Sequence, residues 1–327
     1  EMAGEGGAEG VGKEMGKMSK LLVVGGTGYL GRRIVKASLE QGHPTYVLLR
    51  PEVGIDIDKV QLLLSFKQQG ARLLEASFSD HRSLVDAVSR VDVVVCAISG
   101  VHFRSHHIRL QLKLVDAIRE ARNVQRFLPS EFGIDPSRMG GAVEPGKVPF
   151  DDKMAVRKAV EEAGIPFTHV SAGCFAGYFV GALCEPGRLL PPRDRVTHHG
   201  SGHVKAIFVD EDDIARYTVR AAVDPRTLNK TLYLRPPENI LTQVELVRAW
   251  EGLIGRELEK TSVSGEEFLA AIKGLDYAQQ VGLGHYYQVF YEGCLTNFEI
   301  GEGAEEATEL YPDLAYTRVK DYLKRYL

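Results

Sequence analysis

Short apolar runs alternate with amphipathic stretches through the first half of the chain. Leu21–Val24 is apolar without a break and runs into a glycine cluster at Gly25, Gly26, Gly28 and Gly31. Leu30, Ile34, Val35 and Leu39 follow at helical spacing, and after Gly42 a second apolar run, Tyr46–Leu49, stops at Arg50. This pattern predicts a strand, a glycine turn, a helix and a second strand. Further along, Asp58–Gln69 reads as a helix with Val60, Leu63, Leu64 and Phe66 inward, and Ala71–Ala76 as a strand. Ser79–Ser89 reads as a helix capped by Ser79 or Asp80, Val91–Ala97 as a strand, Ile108–Ala121 as a helix and Gln125–Pro129 as a fifth strand. The nearly continuous apolar character of VDVVVCA (91–97) belongs to a strand covered on both faces, the mark of a parallel sheet. The fold class is therefore α/β, a doubly wound parallel sheet of the Rossmann type.

From Ser130 the beat loosens. SEFGIDPSRMGGAVEPGKVPF (130–150) is rich in Gly and Pro, the composition of a functional or disordered loop. A helix over Asp151–Ala163 and a strand over Pro166–Ser171 follow. Beyond them stand strands at Val204–Val209 and Lys230–Arg235, helices at Thr242–Leu253 and about Ser264–Ile272, and an aromatic run at Tyr286–Tyr291. Residues 1–19, Gly- and Glu-rich, read as a disordered tail. Residues 20–171 read as the dinucleotide-binding domain and 172–327 mainly as a smaller α/β lobe over the carboxyl edge of the sheet, with 204–209 free to return to it. Asp210 to Asp213 is an acidic run best explained by Asp210 capping a helix and the others favouring its positive end.

Composition narrows the function classes. A net charge of −4 over 327 residues leaves no basic stripe for nucleic acid. No apolar run reaches transmembrane length, and the first twenty residues have neither the apolar core of a secretory signal nor the Arg-rich face of a transit peptide. Cys96, Cys174, Cys184 and Cys294 are dispersed and fit reduced, buried thiols in a cytoplasmic protein. His102, His106 and His107 invite a zinc reading, but no third ligand and no HExxH glutamate accompany them, so no metal is expected. His198, His199 and His203, among glycines, read as a solvent-exposed turn.

The glycines fit both GxGxxG (Gly26, Gly28, Gly31) and GxxGxxG (Gly25, Gly28, Gly31). Glycine lets the backbone approach a pyrophosphate, and the following helix offers N–H groups and the positive end of its dipole. Gly25, Gly26, Thr27, Gly28, Tyr29, Leu30 and Gly31 are thus the candidate cofactor turn. An NAD site usually ends its second strand in Asp or Glu. Arg50 stands there instead, with Lys59 beyond, and a guanidinium suits a 2′-phosphate, so NADPH is favoured over NADH.

Several longer stretches add a resemblance. GGTGYLG (25–31), SGVHFRSH (99–106), FLPSEFGIDP (127–136), DDKMAVRKAVEEAGIPFT (151–168) and YEGCLTNFEI (291–300) resemble the plant isoflavone reductase-like enzymes, a family of atypical short-chain dehydrogenases. GVHFRSHHI (100–108), LRPPENILTQVELV (234–247) and GLGHYYQVFYEGCL (282–295) look most like its lignan-reducing branch. The resemblance implies Lys153 as the catalytic residue. Ordinary short-chain dehydrogenases place a tyrosine four residues before their lysine; here that position is Pro149. Lys153 would instead act as general base on a phenol, which titrates near 10, once desolvation lowers the amine from roughly 10.4. The implied reaction opens the furan ring ethers of furofuran or furan lignans through a quinone methide, with NADPH delivering hydride. It takes pinoresinol to lariciresinol and leaves open a second step to secoisolariciresinol.

Ser99 and Gly100 follow the fourth strand, where the chain turns at the sheet edge beside the cofactor, so Ser99 is expected near the nicotinamide and in the substrate pocket. By the resemblance Arg157 contacts the cofactor and Phe175 packs on the nicotinamide. Gly100, Val101, Phe103, Met139 and Tyr178 line the substrate pocket, and His285 faces the substrate. A homodimer is expected on the same ground. The competing readings are a phenylcoumaran benzylic ether or isoflavone reductase of the family, and an NmrA-like regulator that senses dinucleotide without turnover.

Overall fold

The computed structural model describes residues 18–100 and 107–327. β1 (Leu21–Val24), α1 (Gly31–Glu40), β2 (Thr45–Leu49), α2 (Ile57–Gln68) and β3 (Arg72–Glu75) build one half of a parallel sheet. α3 (His81–Val88), β4 (Val93–Cys96), α4 (Gln111–Ala121) and β5 (Arg126–Leu128) build the other. The strand order is β3-β2-β1-β4-β5, all parallel, with Leu21 opposite both Thr45 and Val93. The order reverses between β1 and β4, and a ligand crevice opens at such a switch point, outside the carboxyl ends of the strands.

Strict alternation in β1 explains the two covered faces. Leu21 and Val23 point into one core with Ile34 and Val35 of α1. Leu22 and Val24 point into the other with Leu84, Leu114 and, from α5 (Val148–Glu162), Val160. All these side chains are at most 1 % exposed, and burying an aliphatic of this size contributes about 1.5–3 kcal/mol.

β6 (Thr168–Ser171) continues the sheet past β5 through a parallel bridge between Phe127 and Phe167. Next come β7 (Cys174–Phe175), α6 (Ala176–Phe179), β8 (Arg195–His199), β9 (Lys205–Val209), α7 (Glu211–Ala222) and β10 (Lys230–Tyr233). β11 (Ile240–Thr242), α8 (Gln243–Ile254), β12 (Glu259–Val263), α9 (Gly265–Ile272), α10 (Tyr277–Phe290) and β13 (Ala304–Glu306) follow. β10 pairs in parallel with β6 and with β13, so these late strands extend the sheet. β9, the strand expected to be free to return, pairs instead with β7 and β11.

Two local expectations, the start of α5 and the exposure of His199, are corrected. α5 begins at Val148 rather than Asp151, because a proline in the first turn lacks only an N–H that would be unpaired there. The aromatic run at 286–291 lies largely on α10, capped by Asp276 and Gln279 in a capping box. His199 is no exposed turn residue: it ends β8, is 4 % exposed and stacks on Phe290 at 5.0 Å. Asp210 accepts a hydrogen bond from Asp212 N at 2.9 Å and caps α7.

Candidate functional site

Two adjoining cavities occupy the carboxyl edge at the switch point. The first, about 370 Å³, runs from the glycine turn to the end of β2. Gly25 takes φ +82°, and a Cβ there would stand 2.7 Å from the carbonyl oxygen of Ala97, so the turn passes β4 as bare backbone. Gly25, Thr27, Gly28 and Tyr29 line this cavity, as do Arg50 and Lys59. Gly26 and Gly31 do not. A Cβ on Gly31 would fall 1.9 Å from Gly25 O and one on Gly26 2.7 Å from Val47 Cγ1, so these two serve the close packing of α1 on the sheet. The helix starts at Gly31, after a turn closed by Gly28 N donating to Gly25 O at 2.9 Å.

Arg50 is exposed at the rim, and Lys59 lies 3.2 Å from Asp56, whose carboxylate also caps α2. A third cation, Arg32, lines the same cavity and was not foreseen; its place just after the glycine turn is the signal that would have found it. A glycine turn with no room for a Cβ at Gly25, in a cavity also lined by three cations, fits a dinucleotide bearing an extra phosphate.

The second cavity, about 210 Å³, shares Gly28, Tyr29, Ala97, Ile98 and Ser99 with the first. Leu30, Gly100, Phe175, Tyr178, Lys153 and His285 complete much of its wall. Tyr178 meets Tyr29 edge-on at 5.7 Å and tilts against Phe175 at 6.2 Å. Val101 and Phe103 lie outside the described residues. Met139 is corrected: it is 4 % exposed, buried in the core and on neither cavity wall.

Lys153 projects from α5, and Pro149, one turn earlier, faces the same space. The Nζ of Lys153 donates to the backbone carbonyl of Glu131 at 3.0 Å. Burial pushes its pKa below the ordinary lysine value, against the pull of the Glu131 carboxylate towards the charged form. The loop Ser130–Gly133 forms the floor, a contribution the sequence hid inside a long irregular segment. Ser130 holds that loop to both neighbours, its amide donating to Gln111 Oε1 and its hydroxyl to Ile98 O, each at 2.7 Å. Phe132 sits at φ +53°, a conformation a bulky residue adopts only where its surroundings enforce it. Its amide donates to Val170 O at 2.9 Å and its carbonyl accepts from Ala172 N at 3.2 Å.

His285 arrives from α10. Its Nε2 lies 2.9 Å from Gly146 O, and a carbonyl only accepts, so Nε2 carries the proton. Burial lowers its pKa to about 4, so the ring is neutral at pH 7. Arg157 departs from expectation: it lines neither cavity, and its guanidinium is committed to Glu131 and Asp135. His107 is on the first cavity wall, His102 and His106 are outside the described residues, and among the described residues no three potential ligands converge on a metal site.

Residues 17–323 match the NmrA-like family. The chain is 67% identical to the bifunctional pinoresinol-lariciresinol reductase 2 of Linum usitatissimum over 313 residues, 96% of this chain and 95% of that protein. It is equally similar, 67%, to an isoflavone reductase homolog of Lupinus albus, covering 96% of this chain and all of that one. Its fold superposes on the solved structure of AtPrR2 with NADP+ and (+)-pinoresinol with a TM-score of 0.93, at 60% identity, over 95% of this chain and 100% of that one.

Proposed function

The chain belongs to the NmrA-like family, and from that membership we propose that it is an NADPH-dependent pinoresinol–lariciresinol reductase. The observation that carries the reading is the amine of Lys153 in a half-enclosed aromatic cavity where Pro149 replaces the usual tyrosine acid. Such a site lacks the tyrosine that ordinary short-chain dehydrogenases place one turn before their lysine, and holds a base matched to a phenol.

Gly25, Thr27, Gly28 and Tyr29 would cradle the dinucleotide, with Arg32, Arg50 and Lys59 at its phosphate-bearing end and Ser99 at the junction of the cavities. NADPH, when bound, supplies the hydride that the benzylic carbon accepts. The neutral amine of Lys153 takes the phenolic proton while one of its own N–H bonds stays on Glu131 O, which leaves the lone pair for the substrate. The phenolate then pushes electrons through the ring, the benzylic C–O bond breaks to leave a quinone methide, and the released alkoxide takes a proton from water. Once the benzylic carbon has been reduced the ring is a phenolate again and recovers its proton from the Lys153 ammonium. Phe175, Tyr178 and Tyr29 give the aryl group an apolar, edge-rich surface, and the neutral ring of His285 closes the far wall.

On this reading the cofactor belongs to residues 20–171, and residues 172–327 add Phe175, Tyr178 and His285 to the substrate wall. We further propose a cytoplasmic homodimer; four buried, unpaired thiols suit a reducing compartment. Among the described residues no helix is long and apolar enough to cross a membrane. Incubation with NADPH and each pinoresinol enantiomer, with products resolved on a chiral column, tests the activity. Lys153→Ala is expected to lose about 100-fold or more in kcat while NADPH binding is kept. Full turnover in that variant would remove Lys153 from the mechanism.

A further inference from the structure

Behind the amine of Lys153 lies a buried charge cluster to which the proposed reaction gives no task. Arg157, one helical turn along α5, donates from Nε and Nη2 to the two carboxylate oxygens of Glu131 at 2.7 and 2.5 Å. Its Nη2 also lies 3.0 Å from Asp135 Oδ1. The three side chains are 8, 3 and 4 % exposed, so water screens this cluster little. Asp135 further accepts from Ser137 and from the Tyr233 hydroxyl, and Arg138 stands 3.8 Å away at the rim.

Counting charges shows what is at stake. Two buried carboxylates face one buried guanidinium, and Lys153 is the fourth member. With an ammonium at Lys153 the four sum to zero; once the proton leaves, they sum to one negative charge. Without Arg157 the proton would leave against two carboxylates balanced only by the rim cation Arg138 beside Asp135, and an opposite charge nearby holds a lysine protonated. We propose that Arg157 is a positioning residue that sets the proton affinity of Lys153. It cancels one buried carboxylate, so that the amine loses its proton at a lower pH than it would beside both carboxylates alone. It also clamps Glu131, whose backbone carbonyl holds Nζ at the cavity wall.

The other groups facing Lys153 do not supply this control. His285, from α10, is neutral above about pH 4 because of its burial. Tyr29 and Tyr178, from the glycine turn and α6, have hydroxyl pKa values raised by burial and stay protonated. Asp152, the neighbour on α5, lies 3.7 Å from Arg109.

The inference rests on the reading of Lys153 as the base, so its test must not depend on turnover. Competitive acetylation of the full-length protein with acetic anhydride, from neutral to alkaline pH, with the Lys153 peptide quantified by mass spectrometry, gives the titration midpoint of that amine directly. Arg157→Gln is expected to raise the midpoint by about one pH unit or more, and Asp135→Asn to lower it by a similar amount. Arg157→Lys, which keeps the charge and loses the planar fork, should bring the midpoint back towards the parent while kcat stays depressed. Circular dichroism and NADP+ binding check the fold of each variant. If Arg157→Gln does not fold, the near-isosteric Asp135→Asn decides. An unmoved midpoint in folded variants overturns the inference, since a merely structural ion pair would cost stability and leave the midpoint in place. If the midpoints move but the parent does not reduce pinoresinol, the lignan reading fails and the inference about Lys153 stands.

Discussion

Arg50 and Lys153 carry different parts of the reading because they stand in different solvents. Arg50 is exposed at the mouth of the cavity beside the glycine turn, where a guanidinium can offer a charge-assisted fork to a phosphate. Arg50→Asp is therefore expected to lower kcat/KM for NADPH by roughly 10- to 100-fold and to bring the ratio of NADPH to NADH efficiency close to unity. An unchanged ratio would move the 2′-phosphate contact to Arg32 or Lys59. On the proposed reading Lys153 works through desolvation, and activity is expected to rise as pH climbs through its lowered pKa, which a pH profile of kcat would check. His285 takes no part in that rise, because its pKa of about 4 lies below the working range.

At the scale of elements, the site depends on how closely α10 approaches the loop before α5. Gly146 and Gly284 make that approach: a Cβ on Gly146 would stand 2.9 Å from Val143 O and 3.3 Å from Gly284 Cα. Gly146→Ala should push α10 outward and loosen the bond from His285 Nε2 to Gly146 O. The expected readout is a KM for pinoresinol raised roughly tenfold with the NADPH dissociation constant unchanged, measured by steady-state kinetics and fluorescence titration. Equal loss at both sites would mean that the helix supports the whole edge.

The same scale explains what was legible in the sequence. β1, the glycine turn, α1 and β2 follow from spacing within thirty residues, because each buries a face with its own period. The strand β8 was not legible: its partner β12 lies some sixty residues on, and the glycines beside His199 suggest a turn. Nor was the cluster of Glu131, Asp135 and Arg157, since a loop and a helix meet there without any local pattern. Pro149 was read as the loss of a tyrosine, whereas its second role, in the first turn of α5, needed the backbone.

For the whole molecule, pH acts through buried histidines. Burial lowers the pKa values of His169 and His285 to about 4 each. His169 stacks on Phe167 at 4.4 Å, and its buried Nε2 has no hydrogen-bond partner among the described residues. In the unfolded chain both titrate near roughly 6.5, so between those values the unfolded state binds more protons. Stability is therefore full above the unfolded value and falls as pH drops towards about 4. The two histidines together give a slope of up to about 2.7 kcal/mol per pH unit. The urea midpoint should fall over this range, and His169→Phe should flatten the fall by one proton's worth. A flat midpoint in the parent would show that neither ring is buried in its neutral form.

Gly28, Tyr29, Ala97, Ile98 and Ser99 belong to both cavities, so whatever fills one becomes part of the boundary of the other. Two ligands that share a partition are placed to touch, and any such contact couples their binding. If the dinucleotide tightens the hold on the lignan by some factor, thermodynamic linkage requires the lignan to tighten the hold on the dinucleotide by the same factor. Neither affinity is then a property of its own cavity alone. The partition converts two binding constants into one coupled equilibrium, in which the concentration of either ligand sets the apparent strength of the other.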